Sequence, residues 1–465
     1  MIKRIVINKL WFVIGSAAAF LVSAALQVDL AIPLLLLILY LFLKFIKIDP
    51  AFVKRLGINL TFLFLLILAT SLVIIRQGWP VYSIPISAIA MLAMILFDDF
   101  TVSLLITLAA SVTVSSLAGN NYLLFVAFLA GGLASILLVR DIRRRVSLIQ
   151  AGFFCGFIQA LTFFCITDFS LMHPDWYVTL FLNGIISSFI VLATLPLFEI
   201  AFKTVTNVSL LELADFNHPL LQRLVQEAPG TYHHSLVVGN LADAACKAIG
   251  AHALLARVGA YYHDIGKLSK PGYFTENQGV SGSKHDALTP TMSKLVIMNH
   301  VKEGIELAQK SNLNPPIIDF IQQHHGSSLV YYFYRRALEH LEEDQTVKEE
   351  GFRYPGPKPK TKETAIVLLA DSVEAASRAL REPSPSKIEE VVHKIINNKF
   401  IDGQLDECDL TLKDLEKIAA VFIHVLGGMY HSRVSYPETP PGADNNTQSS
   451  KEDSHQSGKG QNADS

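Results

Sequence analysis

The sequence predicts an all-α protein in two parts, a polytopic transmembrane helix bundle followed by an all-helical soluble domain. Hydrophobic residues make up 51% of the 465 and charged residues only 17%, too apolar a balance for one ordinary soluble domain. The imbalance is concentrated in residues 1–202, which hold long uncharged runs, whereas residues 203–435 carry charges, caps and loops around apolar stripes at helical spacing. Nine of the fifteen histidines fall between His218 and His325 and none in the expected spans, which assigns the chemistry to the second part. The net charge of -2 gives no reason to expect a nucleic-acid partner. The four cysteines (Cys155, Cys165, Cys246, Cys408) show no paired spacing, so no disulfide framework is expected and a reducing cytosol suits the second part.

A helix needs about 20 apolar residues to cross a bilayer. Runs of that order predict eight spans, near 10–28, 30–48, 56–75, 81–97, 100–118, 122–139, 146–167 and 176–198. The run from Phe100 to Val139 has no charge, and Gly119-Asn120-Asn121 is its natural turn. Lys and Arg prefer the cytoplasmic side of short loops. With the amino terminus inside, the inner segments hold Lys3, Arg4, Lys9, Lys47, Lys54, Arg55, Arg140 and Arg143 to Arg145, and the outer loops only Arg76. The chain then returns to the cytosol before Lys203, and the first span reads as a retained anchor because no small-residue cleavage site leads into a mature domain. Asp98, Asp99 and Glu199 sit at span ends, so no buried ionisable series marks a transport path and the bundle reads as a scaffold or sensor.

Residues 203–230 read as a connector helix with an apolar stripe (Leu210, Leu213, Leu220, Leu224) stopped by Pro229-Gly230, with His218 a cap or loop residue. The helix over 231–249 carries His233 and His234, which point about 100° apart, so His234 is the candidate ligand and His233 supports it. The helix over 252–268 brings His263 and Asp264 up from an apolar face, where a carboxylate needs a partner and a metal would serve. Lys267, on the same face, could meet a phosphate oxygen or simply pair with a carboxylate. The glycine-rich loop 271–290 could fold over the site.

Beyond that loop, helices over 291–309 and 315–325 carry His300 and His324-His325, and the helix over 363–381 has Asp371 in the middle of an apolar face. Imidazoles and carboxylates converging from packed helices are what a divalent transition metal requires. Between these helices, Tyr331 to Arg336 begin an aromatic helix, and the acidic run 339–350 reads as a solvated face. Arg353, Tyr354, Lys358 and Lys360 could grip a nucleotide or form a surface loop. Two further helices close the domain by 435, and the polar tail 436–465 is expected to be disordered.

The ordered series His234, His263-Asp264, His300, His324-His325, Asp371 resembles the HD-domain phosphohydrolase superfamily. More narrowly, TYHHS, YHDIGK, HHG followed by YYFYRRA, FRYPGPKPKTKE and ADSVEAASRALREP resemble the membrane-bound seven-transmembrane HD family of bacterial cyclic di-AMP phosphodiesterases. The motifs cover residues 205–435, and the membrane part is similar by architecture. The resemblance implies an all-helical HD domain over 231–435, facing the cytosol from the bacterial cytoplasmic membrane, that binds two metal ions and hydrolyses cyclic di-AMP to pApA. It implies His234, His263 and Asp371 on one metal, His300, His324 and His325 on the other, and Asp264 bridging both. Five imidazoles and two carboxylates fit iron or manganese better than magnesium, and two such cations about 3.5–4 Å apart would orient the phosphodiester for in-line attack. Lys267 would join Asp264 in catalysis by offsetting charge on the phosphoryl oxygens. Tyr332, Arg335, Arg353 and Lys358 are, with Lys267, candidate substrate contacts. The implied partners are the cyclic dinucleotide and the lipid bilayer, with a homodimer left open. The chain departs from the family pattern around Asp29, where a few residues stand in place of a large extracytoplasmic domain.

A cyclic di-GMP phosphodiesterase of the HD-GYP type would follow the His pair with a GYP signature, whereas HHGSSLVYYFYRR follows here. A single-metal nucleotide hydrolase would leave His300, His324 and His325 without a role. A non-catalytic cyclic-dinucleotide sensor would be marked by a lost ligand, and none is lost.

Overall fold

A computed structural model describes residues 50–430 except 141, 170–171, 279–282, 340–346 and 381, with backbone only for 50–56. The spans expected at 10–28 and 30–48, the loop around Asp29, residues 431–435 and the tail 436–465 lie outside the described residues. Five described helices are long and apolar enough to cross a membrane: α1 (Pro50–Arg76), α3 (Phe100–Leu117), α4 (Tyr122–Val139), α5 (Arg145–Ile166) and α6 (Pro174–Phe202). The chain is a multi-pass membrane protein.

The span expected at 81–97 is the exception. It is a 3-10 turn (Val81–Ser83), Pro85, and a helix α2 (Ile86–Phe97) of 12 residues, about 18 Å long against a hydrocarbon core of about 30 Å. Pro85 ends the preceding turn, and Asn183 on α6 takes up the freed carbonyls, donating from Nδ2 to Tyr82 O (3.1 Å) and Ile84 O (2.8 Å). Most of α2 is buried among the other helices, and Val81–Phe97 is the shorter apolar stretch between α1 and α3. Helices α5 and α6 pack almost backbone to backbone: a Cβ on Gly156 would lie 2.1 Å from Phe181 O, and one on Gly184 2.3 Å from Gly156 N. The carboxyl ends of α2, α4 and α6 meet the second half around a cleft of about 220 Å³, lined among others by Asp98, Arg140, Thr204 and His252. The alternating direction of the spans is thus seen in the helices themselves.

The connector is two helices, α7 (Asn207–Leu213) and α8 (Pro219–Glu227), because Asp215 accepts from Asn217 N and turns the chain, and His218 Nδ1 then caps α8 at Leu220 N. Pro229 starts the next helix rather than stopping the connector, since the first helical position needs no N–H. That helix, α9 (Pro229–Ile249), packs with α10 (Ala253–Tyr262), α14 (Lys362–Arg378), α15 (Pro385–Ile401) and α16 (Leu412–Tyr430) around Val238, Leu241, Leu368, Leu369 and Phe422. A second core, with Leu220, Leu224, Tyr262, Ile317 and Ile321, joins α8 and α10 to α12 (Pro315–Gln323). Helices α11 (Pro290–Lys310) and α13 (Tyr331–Glu339) complete the domain. Among the described residues the only β pairing is an isolated bridge, Leu329 with Arg353.

Of the acidic run expected as a solvated helix face, Glu339 belongs to α13 and Glu349–Phe352 form a 3-10 turn, while 340–346 lie outside the described residues. The helix expected over 252–268 ends early, at Tyr262. Asp264 leaves helical geometry (φ -111, ψ 16) and residues Ile265–Ser269 form a 3-10 turn. Gly266 is why the turn fits: a Cβ there would lie 1.8 Å from His300 O, so the turn lies directly on the α11 backbone.

Candidate metal centre

The seven predicted ligands arrive from five elements: His234 from α9, His263 and Asp264 from the end of α10, His300 from α11, His324 and His325 from the end of α12, and Asp371 from α14. His233, one position from His234, is exposed. The ligand atoms form two groups, each within 4.8 Å, with Asp264 in both: His234, His263, Asp264 and Asp371; and Asp264, His300, His324 and His325. Asp264 divides its oxygens between them. Oδ2 lies 3.2 Å from His263 Nε2 and 3.7 Å from His234 Nε2, while Oδ1 lies 3.3 Å from His300 Nε2 and 3.5 Å from His324 Nε2. Asp371 does the same more loosely, with Oδ1 3.0 Å from His234 Nε2 and Oδ2 3.6 Å from His325 Nδ1.

The imidazoles are aimed by their other nitrogens. His263 Nδ1 donates to Ala260 O (2.7 Å), His300 Nδ1 to Ile297 O (2.5 Å) and His324 Nδ1 to Ile321 O (2.9 Å), which turns each Nε2 inward. His234 Nδ1 is held by Glu374 Oε2 at 2.5 Å. Such a carboxylate behind an imidazole fixes the tautomer and raises ligand basicity. His263 Nε2 and Asp264 Oδ1 are buried with no hydrogen-bond partner, an arrangement that an ion accepting both would satisfy. The donor set therefore fits a divalent metal, as the HD fold implies.

The electrostatics divide the groups. Burial opposes charge on His263, but Asp264 and Asp371 outweigh it and lift its pKa to about 10. Burial takes His300 down to about 4 despite Asp264, with His324 and Lys267 adding to the fall, and burial beside His324 takes His325 well down too. His300 and His325 are thus held neutral, the state in which an imidazole would bind a metal, whereas His263 would have to lose its proton to serve as a ligand. Burial works against the Asp264 and Asp371 carboxylates, yet the surrounding cations hold both well below the usual range.

Lys267 Nζ lies 2.8 Å from Asp264 Oδ2 and 2.6 Å from Glu276 Oε1, so of its two readings the structure has the ion pair. Glu276 belongs to the 271–290 loop, which does fold onto the site: it also accepts from Thr231 Oγ1, and Phe274 packs 5.0 Å from the ammonium. His325 is the most open ligand, its side chain 23% exposed, and Tyr354 lies against it at 4.3 Å between ring centroids. Arg353 is tied to Asp402 and Glu349 (2.7 and 2.6 Å), which fixes the 349–354 segment and occupies the guanidinium. Lys358 pairs with Asp406 at 3.3 Å, and Tyr332 and Arg335 are exposed on α13. The structure does not bring these four into the cluster.

Sequence reasoning missed Glu374 and Glu276. Glu374 lies three residues beyond Asp371 on one helix face, a signal that could have found it; Glu276 sits in an irregular loop with no spacing to read. A Glu374→Gln chain is expected to bind Mn²⁺ about 10- to 100-fold more weakly, as measured by titration of the metal-free protein, since the amide still bonds His234 but no longer raises its basicity. Unchanged affinity would remove Glu374 from the site.

Residues 22–206 match the family described as a 7TM receptor with intracellular HD hydrolase, and residues 231–376 match the HD domain. The chain is 40% identical over 369 residues to the Cyclic-di-AMP phosphodiesterase PgpH of Bacillus subtilis, covering 77% of this chain and 51% of that protein. It is 43% identical over 316 residues to PgpH of Listeria monocytogenes, covering 67% of this chain and 44% of that protein. The chain thus spans about half the length of the curated relatives it matches. A crystal structure of the L. monocytogenes PgpH HD domain in complex with cyclic-di-AMP is 48% identical, covers 46% of this chain and 99% of that one, and aligns with a TM-score of 0.45.

Proposed function

Since the chain belongs to the family of seven-transmembrane receptors with an intracellular HD hydrolase domain, we propose that it is a membrane-anchored, metal-dependent phosphodiesterase that hydrolyses cyclic di-AMP to pApA. The observation that carries this reading is Asp264, whose two oxygens face two complete ligand groups. The substrate follows from the name of the relatives, both Cyclic-di-AMP phosphodiesterases. In this reading His234, His263 and Asp371 hold one ion, His300, His324 and His325 the other, and Asp264 bridges. The imidazole-rich set favours manganese or iron. When bound, the two ions supply an activated water and neutralise charge on the scissile phosphate.

The chain's own residues do the rest. Lys267 is kept charged, because Asp264 and Glu276 outweigh the cost of its burial, and its ammonium offsets negative charge gathering near Asp264. His325 and Tyr354 form the wall at the open side, where a purine ring would be received. In this reading Tyr332, Arg335 and Lys358 are outer substrate contacts, and Arg353, tied to Asp402 and Glu349, holds the 349–354 segment. The arginines at 140 and 143–145, on the side of the bundle that meets the HD domain, support a cytosolic site on the inner membrane.

The test is hydrolysis by the full chain, loaded with manganese in lipid nanodiscs, of cyclic di-AMP and cyclic di-GMP side by side. Conversion of the adenine dinucleotide to pApA in clear preference is the expected result. Preference for the guanine dinucleotide would overturn the substrate, and no cleavage of either by metal-loaded protein would overturn the hydrolase.

A further inference from the structure

Helix α7 is only seven residues long, yet it is fastened at both ends by buried groups. At its membrane end stands Glu199, on the last turn of α6 and 7% exposed. Its carboxylate accepts from Thr206 N (3.1 Å), Thr206 Oγ1 (2.5 Å) and Ser209 Oγ, which is 2.7 Å from both oxygens. Arg145, at the start of α5, adds an ion pair to Glu212 in the last turn of α7. At the other end, the Tyr262 hydroxyl donates to Leu213 O at 2.7 Å, and Tyr262 is fully buried with the His218 ring edge-on at 5.5 Å. Tyr262 immediately precedes His263 and Asp264. A third tie runs to α12, where Asn314 at the helix start donates to Thr204 O (3.3 Å) just ahead of α7. That helix ends in His324, so the connector touches the two elements whose ends carry ligands of both metal groups.

A connector that merely tethered two domains would need no such bonds, because a flexible polar linker does that. Buried hydrogen-bonded carboxylate and phenol groups are costly to disconnect, so they transmit displacement instead of absorbing it. We propose that α7 is a strut through which the membrane bundle sets the geometry of the metal centre, with Glu199 and Tyr262 as positioning residues at its two ends. A tilt or rotation of α6 moves Glu199, carries α7 with it, and shifts the His263-Asp264 turn relative to His300 and His324. The proposal rests on the metal-centre reading above and extends it to control of that centre from the membrane.

The experiment is a double-mutant cycle on the full chain in nanodiscs, with Glu199→Ala, Tyr262→Phe and the pair. Mn²⁺ affinity of the metal-free protein, KM and kcat for cyclic di-AMP, and Tm are measured. Each single change is expected to weaken Mn²⁺ binding by about 3- to 30-fold. The double variant is expected to be no weaker than the worse single one, because both cut the same connection. Arg223→Gln, which breaks an exposed pair with Glu227 on α8, should leave affinity unchanged. If Glu199→Ala does not yield folded protein, Ser209→Ala takes its place and removes half of the latch. Wild-type affinity in the single variants, or losses that multiply in the double variant while Tm falls in step, would overturn the strut. Failure of the wild type to bind Mn²⁺ would instead sink the metal-centre reading on which it stands.

Discussion

Replacing Asp264 with alanine is expected to abolish metal binding by both ligand groups at once and to lower hydrolysis by about 10³-fold or more. Each group of imidazoles depends on one of its oxygens, at 3.2 Å from His263 Nε2 on one side and 3.3 Å from His300 Nε2 on the other. The ions contribute several kcal/mol of charge stabilisation, and about 4 kcal/mol is about a thousandfold in rate. The fold should survive, because Lys267 keeps its bond to Glu276 when Asp264 is gone. His234→Ala and His300→Ala should each strip one group and spare the other, while His233→Ala, on the exposed side of the same helix, should change nothing. Metal content of the purified variants separates these outcomes. Two ions retained by the Asp264→Ala chain would rule out a shared carboxylate.

The second large effect is expected at a residue with no functional group. In a Gly266→Ala chain the new methyl would stand 1.8 Å from His300 O and 2.5 Å from Gly304 N, both backbone atoms of α11 that cannot rotate away. The 265–269 turn must lift, and forced overpacking of this kind costs about 3 kcal/mol. Asp264 and Lys267 lie on either side of Gly266, so the lift parts Asp264 Oδ1 from His300 and His324. Lower Tm and loss of metal from the His300 group are the expected pair of results. A Tm drop with full metal occupancy would mean that the close approach matters for packing alone.

Much of the site was legible because its chemistry forces unusual residues onto apolar helix faces. Asp264 and Asp371 stand among buried aliphatic residues, and no reading of those positions works without a partner. The motif HDIGK also contained the reason for its glycine, although only the packing of the turn on α11 reveals it. What escaped was set by hydrogen bonding rather than by composition. Hydropathy counts apolar residues, so 81–97 reads as one unbroken helix, whereas Pro85 interrupts it and Asn183, about a hundred residues away in sequence, satisfies the break. Pro229 reads as a stop but serves as a start, since a single proline fits either end until its neighbours are placed. Glu276 and Glu374 act through Lys267 and His234; Glu374 left a mark only in its i+3 spacing from Asp371, and Glu276, in an irregular loop, left none. Arg353 reads either as a nucleotide contact or as part of a surface loop, and its tie to Asp402, 49 residues on, cannot be read from the sequence.

A pair of ions joined through Asp264 would show itself in electron paramagnetic resonance of the full chain titrated with manganese. The account predicts about two Mn²⁺ per chain, with an exchange-coupled signal that appears as the second ion binds and is absent from the Asp264→Ala chain. A single uncoupled ion at saturation, or coupling that persists without Asp264, would contradict it.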